Sequence, residues 1–256
     1  MNYLSLFSGV GGGDLAFQHL LEGFRCVGYV EYEEYCQKVI KQRIEDGLLD
    51  SAPIFGDIRE FNSRGYAEAY KGMVDLITGG FPCQPFSVAG KRKGEYDPRN
   101  MWPQTINTIR MVRPPYAFLE NVSGLLDSGY MSKIFSDLAE AGFNAKWTVL
   151  GTHHIGGLFK RDRLWILAST STYRLEKCMQ EISGRFKFNG WETNTLAFNR
   201  AKKVNGDRLL WPSDNRFWRL VNGQPYWVER IGANGNQQDG RVAATAWKIL
   251  SGDVFN

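Results

Sequence analysis

The first two-thirds of the chain alternate short apolar runs with stripes of helical period, and that alternation leaves few folds open. Apolar runs at 3–7, 26–30, 53–55, 74–78, 116–119, 146–151 and 164–168 read as strands. Between them Tyr35, Val39, Ile40 and Ile44 fall on one helical face, as do Met131, Ile134, Phe135 and Leu138. A third stripe, Ile106, Ile109 and Val112, stops at Arg113-Pro114-Pro115, where proline forbids a further turn. Parallel strands need helical crossovers, so this order predicts an α/β fold: a doubly wound, mostly parallel sheet with helices on both faces. Ligands of such sheets bind beyond the carboxyl ends of the strands. Residues that follow each apolar run are therefore the first candidates for chemistry.

The 256 residues suffice for one full domain and a small second one, and the 43% hydrophobic and 23% charged content is that of a globular chain. Neither a membrane-length apolar run nor a basic region followed by an apolar stretch is present, so a cytoplasmic location without membrane contact is expected. Cys26, Cys36, Cys83 and Cys178 have no paired spacing and read as reduced thiols. His19, His153 and His154 show no metal-like spacing with acids or thiols and are taken as structural, with no metal expected.

The net charge of +4 is unevenly distributed. Residues 171–230 hold 11 Lys and Arg against 6 Asp and Glu, while the other 196 residues hold 20 against 21. Ten aromatics between Tyr173 and Trp227 interleave with that charge, a composition suited to phosphate and stacked bases, or equally to a solvated face over a small core. A polar break at 169–172 precedes this stretch, which lacks a sustained period. Helical spacing returns with Val242, Ala243, Ala246, Trp247 and Leu250.

Five groups of residues carry chemistry on this reading. Phe7-Ser8-Gly9-Val10-Gly11-Gly12-Gly13 sets glycines directly after the first strand, where a tight turn lets backbone approach a nucleotide-like ligand. Glu31 ends the second strand, in the position of an acid that binds ribose hydroxyls, and Asp57 after the third is either an adenine-binding carboxylate or a simple Asp turn. Gly79-Gly80-Phe81-Pro82-Cys83-Gln84-Pro85-Phe86-Ser87 follows the fourth run; two prolines stiffen the loop and fix one thiol, which is either a nucleophile or a small buried hydrophobe. Glu120 ends the fifth run as a desolvated acid or a salt-bridged surface group. Arg161 and Arg163, two residues apart, share a face if they lie on a strand; the alternative is a solvated charge run.

In this order the pieces resemble the DNA (cytosine-5)-methyltransferases. Gly80-Phe81-Pro82-Cys83-Gln84-Pro85-Phe86-Ser87 is similar to their catalytic loop nearly letter for letter, and Glu120-Asn121-Val122 and Arg161-Asp162-Arg163 match the motifs that follow. Gly235-Asn236 resembles the closing motif. The resemblance covers 1–169 and 227–256. It implies a Rossmann-like methyltransferase domain over 1–169, a target-recognition lobe over 170–226, and a segment, 227–256, that returns to the first domain. It implies S-adenosylmethionine as cofactor, held by Phe7, Ser8, Gly9, Gly11, Gly12, Glu31, Asp57, Ile58, Pro82 and Asn236. It also implies catalysis by Cys83, Glu120, Arg161 and Arg163, and contacts to double-stranded DNA from Gln84, Ser87, Lys91, Arg92 and Lys93. A monomeric bacterial or phage enzyme that methylates C5 of a flipped-out cytosine is expected. A tRNA cytosine methyltransferase, a silent DNA-binding relative and, last, a nicotinamide oxidoreductase are the competing functions. The chain departs from the family pattern at Phe159, where glutamine is usual, at Asn234, and at Gln238-Asp239-Gly240, which replaces an apolar, proline-containing stretch.

Overall fold

A computed structural model describes residues 1–82, 99–157, 160–170 and 238–252. Strands β1 (Asn2–Leu6), β2 (Arg25–Val30), β3 (Ile54–Phe55), β4 (Leu76–Gly79), β5 (Tyr116–Val122), β6 (Asn144–Gly151) and β7 (Asp162–Ser169) form one sheet in the order β3-β2-β1-β4-β5-β7-β6. The first five pair in parallel, while β7 runs antiparallel to both β5 and β6. The doubly wound, mostly parallel sheet is as expected. The order reverses between β1 and β4, which makes the carboxyl edge outside those two strands the natural ligand crevice.

Helices α1 (Gly12–His19), α2 (Glu34–Glu45), α3 (Ile58–Ser63), α4 (Tyr66–Ala69), α5 (Trp102–Val112), α6 (Tyr130–Glu140) and α7 (Gly240–Ser251) cover the two faces. Period-2 alternation sorts the strands. Leu4, Leu6, Ala117, Leu119, Leu164, Ile166 and Ala168 join the core beneath α3, α5 and α6. Tyr3, Phe118, Trp165 and Leu167 join the opposite core, with α1, α2 and α7. Both faces being buried, the central strands read as continuous apolar runs. Strand ends differ from the apolar runs where pairing carries polar residues along. The β5–β7 ladder continues through Glu120↔Trp165 to Val122↔Arg163, so Glu120 sits within the strand rather than after it. Helix α5 ends as expected before Pro114, with Arg113 in the left-handed region at φ 53.

The last helix is held by aromatic packing. Trp247 meets Phe17, Phe24 and Phe118 edge-on at 5.4–5.6 Å, and Phe118 stacks on Trp165 at 5.3 Å. Asp239 caps α7 by accepting from the Arg241 N–H at 3.0 Å. Gly240 lets the helix start pass against α1, since a Cβ there would lie 3.0 Å from the Gly12 carbonyl oxygen. The Gln238-Asp239-Gly240 departure thus has a local reason: a cap, then a close approach of two backbones. Cys26 and Cys36 are free and buried, and burial raises both thiol pKa values, that of Cys36 up to about 12, which disfavours the thiolate.

Asp14, in the first turn of α1, is buried at 3% exposure, and its carboxyl is pushed up to about 6 by desolvation despite hydrogen bonds from Ser5 and Tyr3 and the nearby Arg43 charge. The folded state therefore holds a proton that the unfolded chain releases near pH 4. This contribution to stability falls as pH rises from about 4 to 6 and is constant above. Relative to Asp14→Asn, the wild-type unfolding free energy should drop by on the order of 3 kcal/mol across that window, measured by urea titration at each pH. Trp247→Ala should cost about 3–5 kcal/mol in the same assay with an unchanged m value.

Candidate active site

The turn after β1 is built from backbone that few side chains tolerate. Phe7 and Gly9 take φ of 52 and 56, and Gly11 takes 80. A Cβ on Gly11 would also lie 2.8 Å from Leu49, whereas the space beside Gly9 is open. The Gly9 N–H donates to one Glu31 carboxylate oxygen at 2.7 Å, and the Glu33 N–H donates to the other at 2.8 Å. Desolvation raises the Glu31 pKa, opposed by those two backbone bonds. The expected pairing of glycine turn and Glu31 is therefore present as one bonded unit on the carboxyl edge. Each Glu31 oxygen retains a second lone-pair direction for a ligand hydroxyl.

Asp57 lies after β3 as expected, but its carboxylate caps α3 by accepting from the Arg59 N–H at 2.8 Å and pairs with the Arg59 guanidinium at 2.7 Å. That local bonding lowers its pKa. Ile58 places its side chain in the core and has only its backbone N–H, free at the helix start, to offer a ligand.

At the end of β4 the chain crosses the switch point. A Cβ on Gly79 would lie 3.1 Å from the Leu6 carbonyl oxygen, and one on Gly80 would lie 2.9 Å from both Glu120 Oε2 and Gln238 Nε2. Phe81 is buried against Trp102 at 5.2 Å. Asn121 donates from its amide to the Phe81 carbonyl at 3.0 Å, and the Met101 N–H reaches the Pro82 carbonyl at 3.4 Å. The loop is thus pinned up to Pro82, the residue before Cys83. Cys83 itself, with Gln84, Ser87, Lys91, Arg92, Lys93, Phe159, Asn234 and Asn236, lies outside the described residues.

Glu120 forms the centre. Its side chain is 12% exposed and its Oε1 accepts from Arg163 Nε at 2.8 Å. Burial raises its pKa; the Arg163 and Arg161 charges and a hydrogen bond from the Gln238 amide oppose that rise. Glu120 is thus a desolvated acid that is also ion-paired, not a surface salt bridge, while Arg163 is a quarter exposed. Arg161, just before β7, has its pKa lowered by burial and by Arg163, which identifies a crowded cationic corner rather than a solvated run. Asn121 and Gln238 are the structural parts that sequence reasoning did not assign roles; Asn121 stood inside a quoted motif, and Gln238 only as a departure.

One grouping arises only in the folded chain. His153, His154 and Asp162 bring metal-ligand-type atoms within 4.8 Å of one another, which their chain positions did not suggest. His154 Nδ1 accepts from the Gly151 N–H at 3.0 Å, so that nitrogen has no lone pair left for a cation, and Lys160 lies 3.9 Å from Asp162. A separate cavity of about 700 Å³, lined by Val27, Phe55, Tyr66, Tyr70 and Met73, opens beside the first residues of β1 and β4. It contains none of the groups around Glu120.

With this geometry the family match is decisive: C-5 cytosine-specific DNA methylase matches residues 1–220. The chain belongs to the C-5 cytosine-specific DNA methylase family. Among curated relatives, the Type II methyltransferase M.CviJI of Paramecium bursaria Chlorella virus IL3A is 30% identical, covering 75% of this chain and 48% of the relative. Type II methyltransferase M.NgoMIV of Neisseria gonorrhoeae is 32% identical, covering 66% and 52%. The chain spans about half the length of these relatives. Solved structures of Spodoptera frugiperda DNMT2 (24% identity, TM-score 0.54, 67% of this chain and 50% of that one) and S. pombe Dnmt2 (22%, 0.54, 70% and 55%) share the fold. Among the described residues no helix is long and apolar enough to cross a membrane.

Removing Arg163 from this methylase domain would leave a buried carboxylate facing only Arg161 and a neutral amide. Arg163→Ala should destabilise the fold by about 3 kcal/mol in urea titrations at pH 8, the low end for breaking a buried pair because Arg163 is a quarter exposed.

Proposed function

We propose that the chain transfers a methyl group from S-adenosylmethionine to C5 of cytosine in duplex DNA. The observation that carries this reading is the Glu120 carboxyl, its pKa raised by burial and its Oε1 held by Arg163, beside Gly80, which stands three residues before Cys83 in sequence. The glycine turn fits the cofactor: Gly9 fronts open space, Gly11 and Gly13 exclude side chains, and Glu31 offers a carboxylate to ribose hydroxyls. Phe7, Ser8, Gly9, Gly11, Gly12 and Glu31 would hold it, with Ile58 offering backbone, Asp57 available only by leaving Arg59, and Pro82 and Asn236 completing the set. When bound it supplies an electrophilic methyl group.

The protein's own residues do the rest. Cytosine C5 is a poor nucleophile. Addition of the Cys83 thiolate at C6 turns the ring into an enamine whose C5 is electron-rich. Glu120 holds or protonates N3 as that charge develops, which requires a carboxyl whose pKa is raised, as burial achieves here. Arg161 and Arg163 offset charge at O2 and a nearby phosphate. Loss of the C5 proton after methylation expels the thiolate. Because C6 is stacked within a duplex, the base is extruded first, at a cost of a few kcal/mol. Gln84, Ser87 and the basic run Lys91-Arg92-Lys93 supply groups that contact the DNA backbone. The excess of 11 cations over 6 acids in 171–230 supports a target-recognition lobe over 170–226, between the catalytic domain 1–169 and the returning segment 227–256. A monomer acting in a bacterial or phage-infected cytoplasm is the corresponding setting.

Incubation with methyl-labelled S-adenosylmethionine and either duplex DNA or tRNA tests the substrate: label is expected in DNA at cytosine C5, and label in tRNA alone would replace the reading. Cys83→Ala should abolish turnover and trapping on 5-fluorocytosine DNA while DNA binding survives. Glu120→Gln should lower the rate by at least about a hundredfold, the scale of lost acid catalysis, with cofactor affinity little changed; equal losses in both would make the residue structural.

A further inference from the structure

We propose that Gln238 is a positioning residue for Glu120, a neutral clamp that joins the catalytic carboxylate to the start of α1 and makes the entry of α7 part of the active site. This rests on the role given to Glu120 above.

Two glycines define the clamp. The amide nitrogen of Gln238 and Glu120 Oε2 each lie 2.9 Å from the point where a Gly80 Cβ would stand, so both border the space a side chain there would take. The Gln238 amide oxygen lies where a Gly13 side chain would begin, and any Cβ there would collide with it. The amide is therefore threaded between the end of β4 and the first turn of α1, and a methyl group at either glycine would expel it. Its orientation follows from charge. Oxygen faces the electropositive helix start, where backbone N–H groups lack intrahelical acceptors, and nitrogen faces the carboxylate, to which it donates.

Glu120 consequently has two partners. Arg163 donates to Oε1 from β7, and the Gln238 amide, which hydrogen-bonds the carboxyl group from the residue before the α7 cap, borders the same space as Oε2. Two donors on separate elements remove the carboxyl group's freedom to rotate about its last torsion. A second cation in place of Gln238 would hold the proton off more strongly; a neutral donor fixes geometry while leaving Glu120 able to protonate. The reach of the clamp is set by α7, because Asp239 caps that helix and Gly240 rests against the Gly12 carbonyl.

The test compares Gln238→Met, which keeps length and loses the donor, with wild type. Expected in the methylase assay is a fall in kcat of at least about tenfold, the scale of one hydrogen bond to a charged group, with cofactor and DNA Kd within about threefold by titration. The double variant Glu120→Gln/Gln238→Met should be no slower than Glu120→Gln alone, since the clamp acts only through Glu120. Side-chain carboxyl NMR of ligand-free protein should show Glu120 titrating at higher pH in Gln238→Met. That readout is independent of turnover, so it distinguishes a failed clamp from a failed assignment of the reaction. If Gln238→Met does not fold, Gln238→Asn, which keeps the amide but falls one methylene short, should give the same losses. Wild-type kcat with an unshifted Glu120 titration in the folded variant, or additive losses in the double variant, would overturn the proposal.

Discussion

A carboxyl group is buried at the end of β5 where backbone and side chains from four places converge, and much of the site's architecture serves to make that burial tolerable. Desolvation alone would drive the Glu120 pKa far up and leave the group neutral and loosely oriented. Arg163, delivered by the antiparallel β5–β7 ladder, offsets that cost with one charge at 2.8 Å. Arg161 adds a second charge at longer range. The balance keeps a pKa above that of an ordinary glutamate without losing the ion pair, which suits the proton exchange proposed for it.

The same constraint explains where side chains are missing. Gly79 and Gly80 let β4 pass beside Leu6 and leave room for Glu120 Oε2 and the Gln238 amide. Gly240 lets α7 lie on α1. These are positions of close approach rather than of unusual backbone; only Gly9 and Gly11 in the turn need positive φ. The aromatic cluster of Phe17, Phe24, Phe118, Trp165 and Trp247 then fixes α7 on the sheet, which in turn fixes what precedes it.

Much of the fold was legible because it depends on periodicity. Leu4, Leu6, Leu164 and Ile166 alternate with Tyr3 and Trp165 between two cores, and such runs announce strands buried on both faces. Strand ends were less legible: Asn144, Asp162 and Val122 are carried into the sheet by pairing, which no single run encodes. In the site, the glycine turn with Glu31 and the candidacy of Glu120, Arg161 and Arg163 followed from residue type and position; the Glu120–Arg163 pairing did not. The local turn of Asp57 onto Arg59 was one of the two alternatives its sequence position offered; the meeting of His153, His154 and Asp162 and the place of Gln238 were not legible, since each is a choice among partners made in space.

The chain by itself determined the alternating architecture, the sheet edge on which chemistry collects and the side chains that supply it, because hydrophobic period and stiff turns are local properties of the polymer. Tertiary structure alone decided which donors each carboxylate receives. Residues 120, 163 and 238 are far apart in sequence, and only the packing of β5, β7 and α7 against one another brings a guanidinium and an amide to one buried carboxyl group.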